Sequence, residues 1–446
     1  MAMLQALRLG AHTCVKSGSR DLATLSASHS ASVASRSHKV AIVGGGSAGL
    51  TIGHQLLRTG AFRAQDIAIV DPNEWHHYQP GWTLVGGGLK DKRQLRARLS
   101  SLVDPKISLY AQGVSNFTPE QNTIDLINGH RITYDQLVVC PGIKVDFKSI
   151  KGLDEAVHDP HSPVSSIYSY DTCDKTARNI ASFKKGKAIF THPAGVVKCA
   201  GAPQKIMWLA LDGWRRAGLY NPGDPSKSDT QITFATAMPV MFGVPKYSQR
   251  LNELREQRAV DGLFEHDLVG INGNTATLAK PDGSLVEKHF DLLHAVPKMK
   301  PYDFVKASSL ANESGFVDID QATLQHNTYG NVWSAGDASG LPTSKTAAAI
   351  TAQAPVLVSN LLSSLDKRPL QAVYNGYTSC PLLTEYGKVM LAEFKYGGTP
   401  HETFGTFVDQ GTPRRAFYHL KKDFFPWVYY KFMVEGTWAG PKGWKR

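Results

Sequence analysis

Apolar residues at 39–43 form a short run that ends in Gly44-Gly45-Gly46, and residues 47–59 follow with the spacing of an amphipathic helix. A second apolar run at 66–70 closes on Asp71. Run, glycine turn, helix and run together predict a βαβ unit. A basic segment at 90–98 precedes weaker strand patterns at 107–110 and 123–127, and residues 134–139 predict a strand ending at Cys140-Pro141-Gly142. The pattern restarts at 187–191. Pro203 then opens a predicted helix that runs to 216, and residues 231–235 predict another strand. Asn221-Pro222-Gly223 and Pro281-Asp282-Gly283 mark turns. Residues 332–335 predict a strand and residues 344–365 a helix, which Pro355 should kink or interrupt. No repeat with a period of 20–50 residues is evident, so a solenoid is not expected.

Composition narrows the class. A chain of 446 residues exceeds one hydrophobic core, so two or three domains are expected. Its 42% hydrophobic and 20% charged residues are those of a globular protein. No run of about 18 apolar residues occurs, so a spanning helix is not expected. The formal charge of +11 favours contact with an anion or an anionic surface. No zinc spacing or arginine-rich tract supports nucleic acid as the partner, and no metal site is expected. Residues 1–37 hold Arg8, Lys16, Arg20 and Arg36 against one acid, Asp21, with eight serines, the profile of a mitochondrial transit peptide. An ordinary disordered N-terminus is the alternative.

Gly44, Gly46 and Gly49 satisfy GxGxxG in Gly44-Gly45-Gly46-Ser47-Ala48-Gly49. The motif follows a strand, opens a helix, and is followed 22 residues after Gly49 by Asp71. That context is the one a dinucleotide site requires. The glycines let a pyrophosphate approach, with Ser47 and Ala48 at the helix N-terminus offering free N–H groups, and Asp71 can accept from ribose hydroxyls. Two later segments resemble the two-dinucleotide-domain flavoproteins. Tyr134-Asp135-Gln136-Leu137-Val138-Val139-Cys140-Pro141-Gly142 resembles the strand that closes their FAD domain, with Cys-Pro-Gly where Ala-Thr-Gly is frequent. Asn331-Val332-Trp333-Ser334-Ala335-Gly336-Asp337-Ala338 resembles their late aspartate motif. The resemblance implies FAD, with Asp337 on its ribitol.

A second glycine fingerprint should follow the strand at 187–191 in an NADH-using relative. Instead the chain reads His192-Pro193-Ala194-Gly195-Val196-Val197-Lys198-Cys199, with proline and valines where glycines are needed. The inserted domain is therefore expected to keep the fold without the nicotinamide ligand. That argues against an alternative NADH dehydrogenase.

Five cysteines, Cys14, Cys140, Cys173, Cys199 and Cys380, are too few and too scattered for a disulfide scaffold. Cys199 lies before a predicted helix start and between Lys198 and Lys205, which favours a thiolate. The residues alone leave a buried small hydrophobe equally open. Three segments then resemble mitochondrial-type sulfide:quinone oxidoreductases, in a similarity that runs from about residue 38 to 440. Residues 198–205 and Tyr377-Thr378-Ser379-Cys380-Pro381-Leu382 look like the family's two redox-cysteine segments, and Leu341-Pro342-Thr343-Ser344-Lys345-Thr346-Ala347-Ala348-Ala349 matches it as well. The resemblance implies that Cys199 and Cys380 form the catalytic pair beside FAD. Hydrogen sulfide would leave a persulfide on Cys380, a small acceptor such as glutathione, sulfite or cyanide would take the sulfur, and ubiquinone would take the electrons. Cys140 and Cys173 are expected to be structural. The helix opening near Ser344 should aim its positive end at the flavin, with Lys345 adding to it or, alternatively, standing as a solvated surface residue. His192, Glu385 and Lys205 are acid–base candidates by position only.

Between 417 and 444 there are ten aromatics in 28 positions, against 42 in the whole chain, and bases surround them. This suits an interfacial segment on anionic lipid, which a quinone enzyme needs. A dimer interface or a helix packed on the body is the alternative. The expected architecture is α/β: two Rossmann-like dinucleotide-binding domains, the second inserted in the first, plus a C-terminal membrane-associating region. Its limits are a leader at 1–37, an FAD domain at 38–155 and 312–366, an inserted domain at 156–311, and a quinone and membrane region at 367–446. The expected location is the matrix face of the mitochondrial inner membrane. An alternative-type NADH:quinone oxidoreductase and a non-turnover FAD-binding redox sensor are the competing functions.

Overall fold

A computed structural model describes residues 35–440 together with 444 and 445. Residues 1–34 of the expected leader, Cys14 among them, lie outside the described residues. The first sheet begins at Ser35, three residues before the expected start. Its parallel strands run in the order Ser108–Tyr110, Ile67–Val70, Ser35–Val43 and Arg131–Val139, and Val332–Ser334 joins the far side of Arg131–Val139. An antiparallel pair, Val114–Thr118 and Thr123–Leu126, extends the start of Arg131–Val139. Val40, Ala41, Ile42 and Ile67–Ile69 are fully buried because helices or loops cover both faces of a parallel sheet.

Register decides where the site can form. Val43 pairs with Val70 and with Val139, and Val139 pairs with Ser334. Four strands therefore end at one level. Gly44, Asp71, Cys140 and Ala335 follow at the carboxyl edge of the sheet, the edge where open α/β sheets bind ligands.

Between Val139 and Val332 the chain builds a second parallel sheet, ordered Val164–Ser165, Leu292–His294, Gly186–His192, Thr230–Thr236 and Asp261–Phe264. A three-stranded antiparallel meander, Asp267–Asn272, Thr275–Ala279 and Leu285–His289, is attached in sequence to its last strands. The helix Ala202–Arg216 carries Pro203 in its first turn as expected.

Two elements differ from the sequence reading. The helix Ala347–Leu365 starts three residues later than expected, because the Thr346 side chain caps it by accepting from the Ala349 N–H at 3.1 Å. It also runs through Pro355 unbroken. Thirteen of its residues are buried, and packing on nearly all sides outweighs the roughly 3 kcal/mol that an interior proline costs. This helix is long and apolar enough to cross a membrane, but it is mostly enclosed by protein.

The hairpin Thr378–Glu385 and Lys388–Lys395, turning at Tyr386-Gly387, was not expected. Both strands are buried along nearly their whole length, so they lack the alternation that marks a strand. The C-terminal aromatic stretch is a continuous helical segment built from Arg415–His419, Leu420–Phe424, Phe425–Val428 and Tyr429–Met433, two of them wide π-type turns.

Candidate active site

A cavity of about 640 Å³ opens at the carboxyl edge of the first sheet and reaches to the aromatic tail. Its first wall is the glycine turn. Only Gly44, Gly45 and Gly46 separate the strand Ser35–Val43 from the helix Ser47–Arg58. Gly44 has φ +106°, and a Cβ there would sit 2.5 Å from the Cys140 carbonyl oxygen. A Cβ on Gly49 would sit 1.8 Å from the Gly44 oxygen. These two glycines shape the turn without lining the cavity, whereas Gly46, Ser47 and Ala48 line it. No atom lies within 4 Å of a Cβ placed on Gly46. The helix has no side-chain N-cap, so its first N–H groups remain free. Open space before uncapped N–H groups fits a phosphate-bearing dinucleotide. Asp71 borders the same wall; it accepts from the Gly45 N–H at 2.7 Å and from the Asn73 N–H at 2.8 Å.

Further along, Gly142, Asp337 and Lys345 line the cavity. Lys345 is buried, not solvated. Its ammonium donates to the Ser339 carbonyl and stands 4.8 Å from the Phe316 ring, and burial lowers its pKa to about 8. The positive end of the helix Ala347–Leu365 faces the same space through Thr346 and Ala347.

The second wall carries sulfur. Nine residues, 193–201, separate the strand Gly186–His192 from the helix Ala202–Arg216, three times the length of the first turn. Cys199 sits in this loop with φ +54°. Its N–H donates to the Lys345 carbonyl at 2.9 Å, which ties the loop to the first domain's late segment. Cys380 projects from the hairpin strand Thr378–Glu385, and its Sγ lies 3.1 Å from that of Cys199. Two residues 181 positions apart in sequence are thus in contact. Cys199 lines the cavity. Cys380 lies behind it between the lining residues Ser379 and Pro381.

Charge around the pair is one-sided. The fully buried Lys205 places its ammonium 3.2 Å from Cys199 Sγ. The hydrogen bond from Cys380 holds Cys199 well below the usual thiol pKa against the cost of burial, and Lys205 and Lys421 add to it. The same bond, with burial, drives Cys380 upward. Both effects favour the anionic form at Cys199, the sulfur in contact with the Lys205 ammonium. Burial opposes charge on Lys205, but the two sulfurs outweigh it and hold its pKa above the ordinary lysine value. Burial and then repulsion from Lys205 lower Lys421 to about 7.

Of the acid–base candidates, only Lys205 is at the site. His192 is buried with neither ring nitrogen paired, and burial lowers its pKa to about 4. Glu385 ends its strand in ion pairs with Arg258 at 3.0 Å and Lys388 at 2.7 Å. Cys140 and Cys173 are buried free thiols whose pKa burial raises, and Cys140 also lines the cavity. Sequence reasoning missed Lys421, His76 and Tyr429. For Lys421 and Tyr429 the tail's mixture of lysines and aromatics was the available signal, but nothing in it separates inward from outward positions.

Residues 38–177 match the pyridine nucleotide-disulphide oxidoreductase family. The chain is 48% identical to the mitochondrial sulfide:quinone oxidoreductase of Schizosaccharomyces pombe over 94% of this chain and 95% of that one. It is 42% identical to the protein of the same name from Dictyostelium discoideum, over 90% of this chain and 87% of that one. The structure of the sulfide:quinone oxidoreductase from the bacterium Aquifex aeolicus superposes with a TM-score of 0.72 at 16% identity, covering 88% of this chain and 91% of that one, which shows the shared fold. Similarity of this extent along whole chains leaves one conclusion: the chain belongs to the family of mitochondrial sulfide:quinone oxidoreductases.

Proposed function

We propose that this chain oxidises hydrogen sulfide at Cys199 and Cys380, with FAD in the cavity, and delivers the electrons to ubiquinone. The observation that carries the reading is the 3.1 Å contact between the two sulfurs beside Lys205, on the cavity that starts at the glycine turn. The FAD-holding residues are the turn at Gly44, Gly46 and Gly49, Ser47 and Ala48 at the helix N-terminus, and Asp71, Gly142, Asp337 and Lys345.

In the oxidised pair, HS⁻ attacks the sulfur of Cys380. One S–S bond forms, the bond to Cys199 breaks, and Cys199 leaves as a thiolate that Lys205 stabilises. The persulfide on Cys380 then gives its outer sulfur to a small nucleophile such as glutathione, sulfite or cyanide, which frees a second thiolate. Re-forming the pair releases two electrons. FAD, when bound, supplies the two-electron acceptor for that closure and the link to quinone. The nine-residue loop at 193–201 supports a donor other than NADH, since it offers no short glycine turn to a second pyrophosphate.

In this reading, segments 38–155 and 312–366 hold FAD, 156–311 brings Cys199, and 367–446 brings Cys380 and faces quinone and membrane. The enzyme works in mitochondria, docked on the matrix face of the inner membrane by the tail. Trp427 is 55% exposed and Phe407 86% exposed, with Arg414, Arg415 and Lys431 also at the surface, as an interfacial segment requires. Cys199→Ser and Cys380→Ser enzymes should each keep FAD and lose sulfide-dependent quinone reduction. Near-normal turnover in either would sink the two-cysteine centre.

A further inference from the structure

The cysteine chemistry makes no use of the way the tail is fastened. The Tyr429 hydroxyl lies 2.6 Å from Ser47 Oγ and 2.7 Å from His76 Nε2, and His76 Nδ1 lies 3.1 Å from the Gly45 carbonyl oxygen. The proton order in this chain follows from chemistry. A carbonyl can only accept, so Nδ1 carries the hydrogen. Burial lowers the His76 pKa to about 4, which keeps the ring neutral and leaves Nε2 as an acceptor. Tyr429 therefore donates to His76, and Ser47 donates to Tyr429. The Ser47 hydroxyl proton is committed to the tail, leaving its backbone N–H for a ligand.

Two further bonds continue along the same helix. The Asp104 N–H donates to His54 Nε2 at 3.1 Å, which makes His54 Nδ1 the donor to the Val434 carbonyl. Arg58 Nε donates to the Glu435 carbonyl at 2.6 Å. Gly436 packs so closely that a Cβ there would sit 2.7 Å from the Gln55 nitrogen. Tail residues 429–436 are thus fastened to the first, middle and last turns of Ser47–Arg58. Tyr429 and Met433 of the same stretch line the cavity.

We propose that the tail is a strap linked to the cofactor: Tyr429, through Ser47 and His76, holds the glycine turn in its phosphate-binding shape, so that dinucleotide binding and docking of residues 429–436 strengthen each other. Linkage requires the coupling to be reciprocal. Tyr429 acts here as a positioning residue. The inference rests on the FAD reading above.

The test uses the full-length enzyme with its flavin and the same chain after flavin removal. Hydrogen exchange in residues 425–436 should slow at least tenfold when FAD is bound. Tyr429→Phe keeps the ring and removes the hydroxyl. It should release FAD at least fivefold faster and lose the FAD dependence of tail exchange. A residue that merely stabilised the fold would lower Tm and leave that dependence intact, which would refute the proposal. Equal tail exchange with and without FAD in the unmodified enzyme would overturn it without any variant, even if Tyr429→Phe failed to fold. A chain that bound no FAD at all would instead overturn the cofactor reading, and the strap with it.

Discussion

Replacing Gly49 by alanine inserts one methyl group where the helix Ser47–Arg58 crosses the strand before it. The new Cβ would lie 1.8 Å from the Gly44 oxygen, and a real contact needs more than 3.0 Å. The obstacle is backbone on both sides, so no side chain can rotate away. Turn and helix must separate by over an ångström, which costs about 1–3 kcal/mol as overpacking. For a chain of this size that is a Tm drop of a few degrees. The same displacement moves the free N–H groups at the helix start, so flavin should be lost as well. Gly46→Ala is the informative partner. Gly46 has φ −74°, which alanine adopts freely, and its Cβ would meet nothing within 4 Å. It should fold with nearly unchanged Tm and still lose flavin, because the methyl would occupy the space before the N–H groups. Flavin absorbance per mole of purified protein and thermal unfolding read the two effects separately. Full flavin in Gly46→Ala would show that this turn is not the cofactor's cradle, and an unchanged Tm in Gly49→Ala would refute the overpacking.

Three other outcomes follow from the charges and surfaces. Lys205→Met removes a charge 3.2 Å from Cys199 Sγ, worth up to about 5 kcal/mol at an effective dielectric of 20. Alkylation of Cys199 in the reduced enzyme at pH 7, followed by mass spectrometry, should slow at least tenfold, and an unchanged rate would disprove the role of Lys205. His76, His192 and His294 have pKa values lowered by burial to about 4, 4 and 3. The unfolded chain binds protons that the folded one refuses, so stability is present above pH 6.5 and falls as the pH drops toward 4, by roughly 1 kcal/mol per histidine at pH 5.5. Tm measured from pH 7.5 to 5.5 should decline; a flat profile would contradict this. Trp427→Ser combined with Phe407→Ser should weaken sedimentation with anionic liposomes severalfold without changing flavin content, and equal binding would remove the interfacial role.

The βαβ unit was legible because its parts are local. A strand, three glycines and Asp71 fall within one short stretch, and register then places Asp71 beside Gly45. Of the second sheet only Gly186–His192 and Thr230–Thr236 were legible, as was the missing fingerprint; Val164–Ser165, Asp261–Phe264 and Leu292–His294 are too short to carry a pattern. The meeting of Cys199 with Cys380 was not, since nothing in residue order encodes a contact across 181 positions; the family likeness supplied it. Lys205 was suggested by its closeness to Cys199 in sequence, whereas Lys421 arrives from the tail. The tail misled in one respect. Its π-type turns depart from a 3.6-residue period, so the pattern could not show that Lys421, Val428 and Tyr429 face inward while Trp427 faces out. His192 and Glu385 were chosen by position; the fold buries the first with its ring unpaired and ties the second into ion pairs.

Several unfavourable features converge on one sulfur. Cys199 holds a left-handed backbone that costs a non-glycine residue roughly 1–3 kcal/mol. Its N–H to Lys345 and its carbonyl, which accepts from Ala202 at 2.7 Å, keep it there. Lys205 and Lys421 are buried together, and each makes the other's charge costlier. None of this helps folding, yet each feature acts at the Cys199 thiolate. An anion at Cys199 relieves the two lysines at once. When the cysteines are joined, that anion is gone, and with it the attraction that favours charge on Lys205 and Lys421.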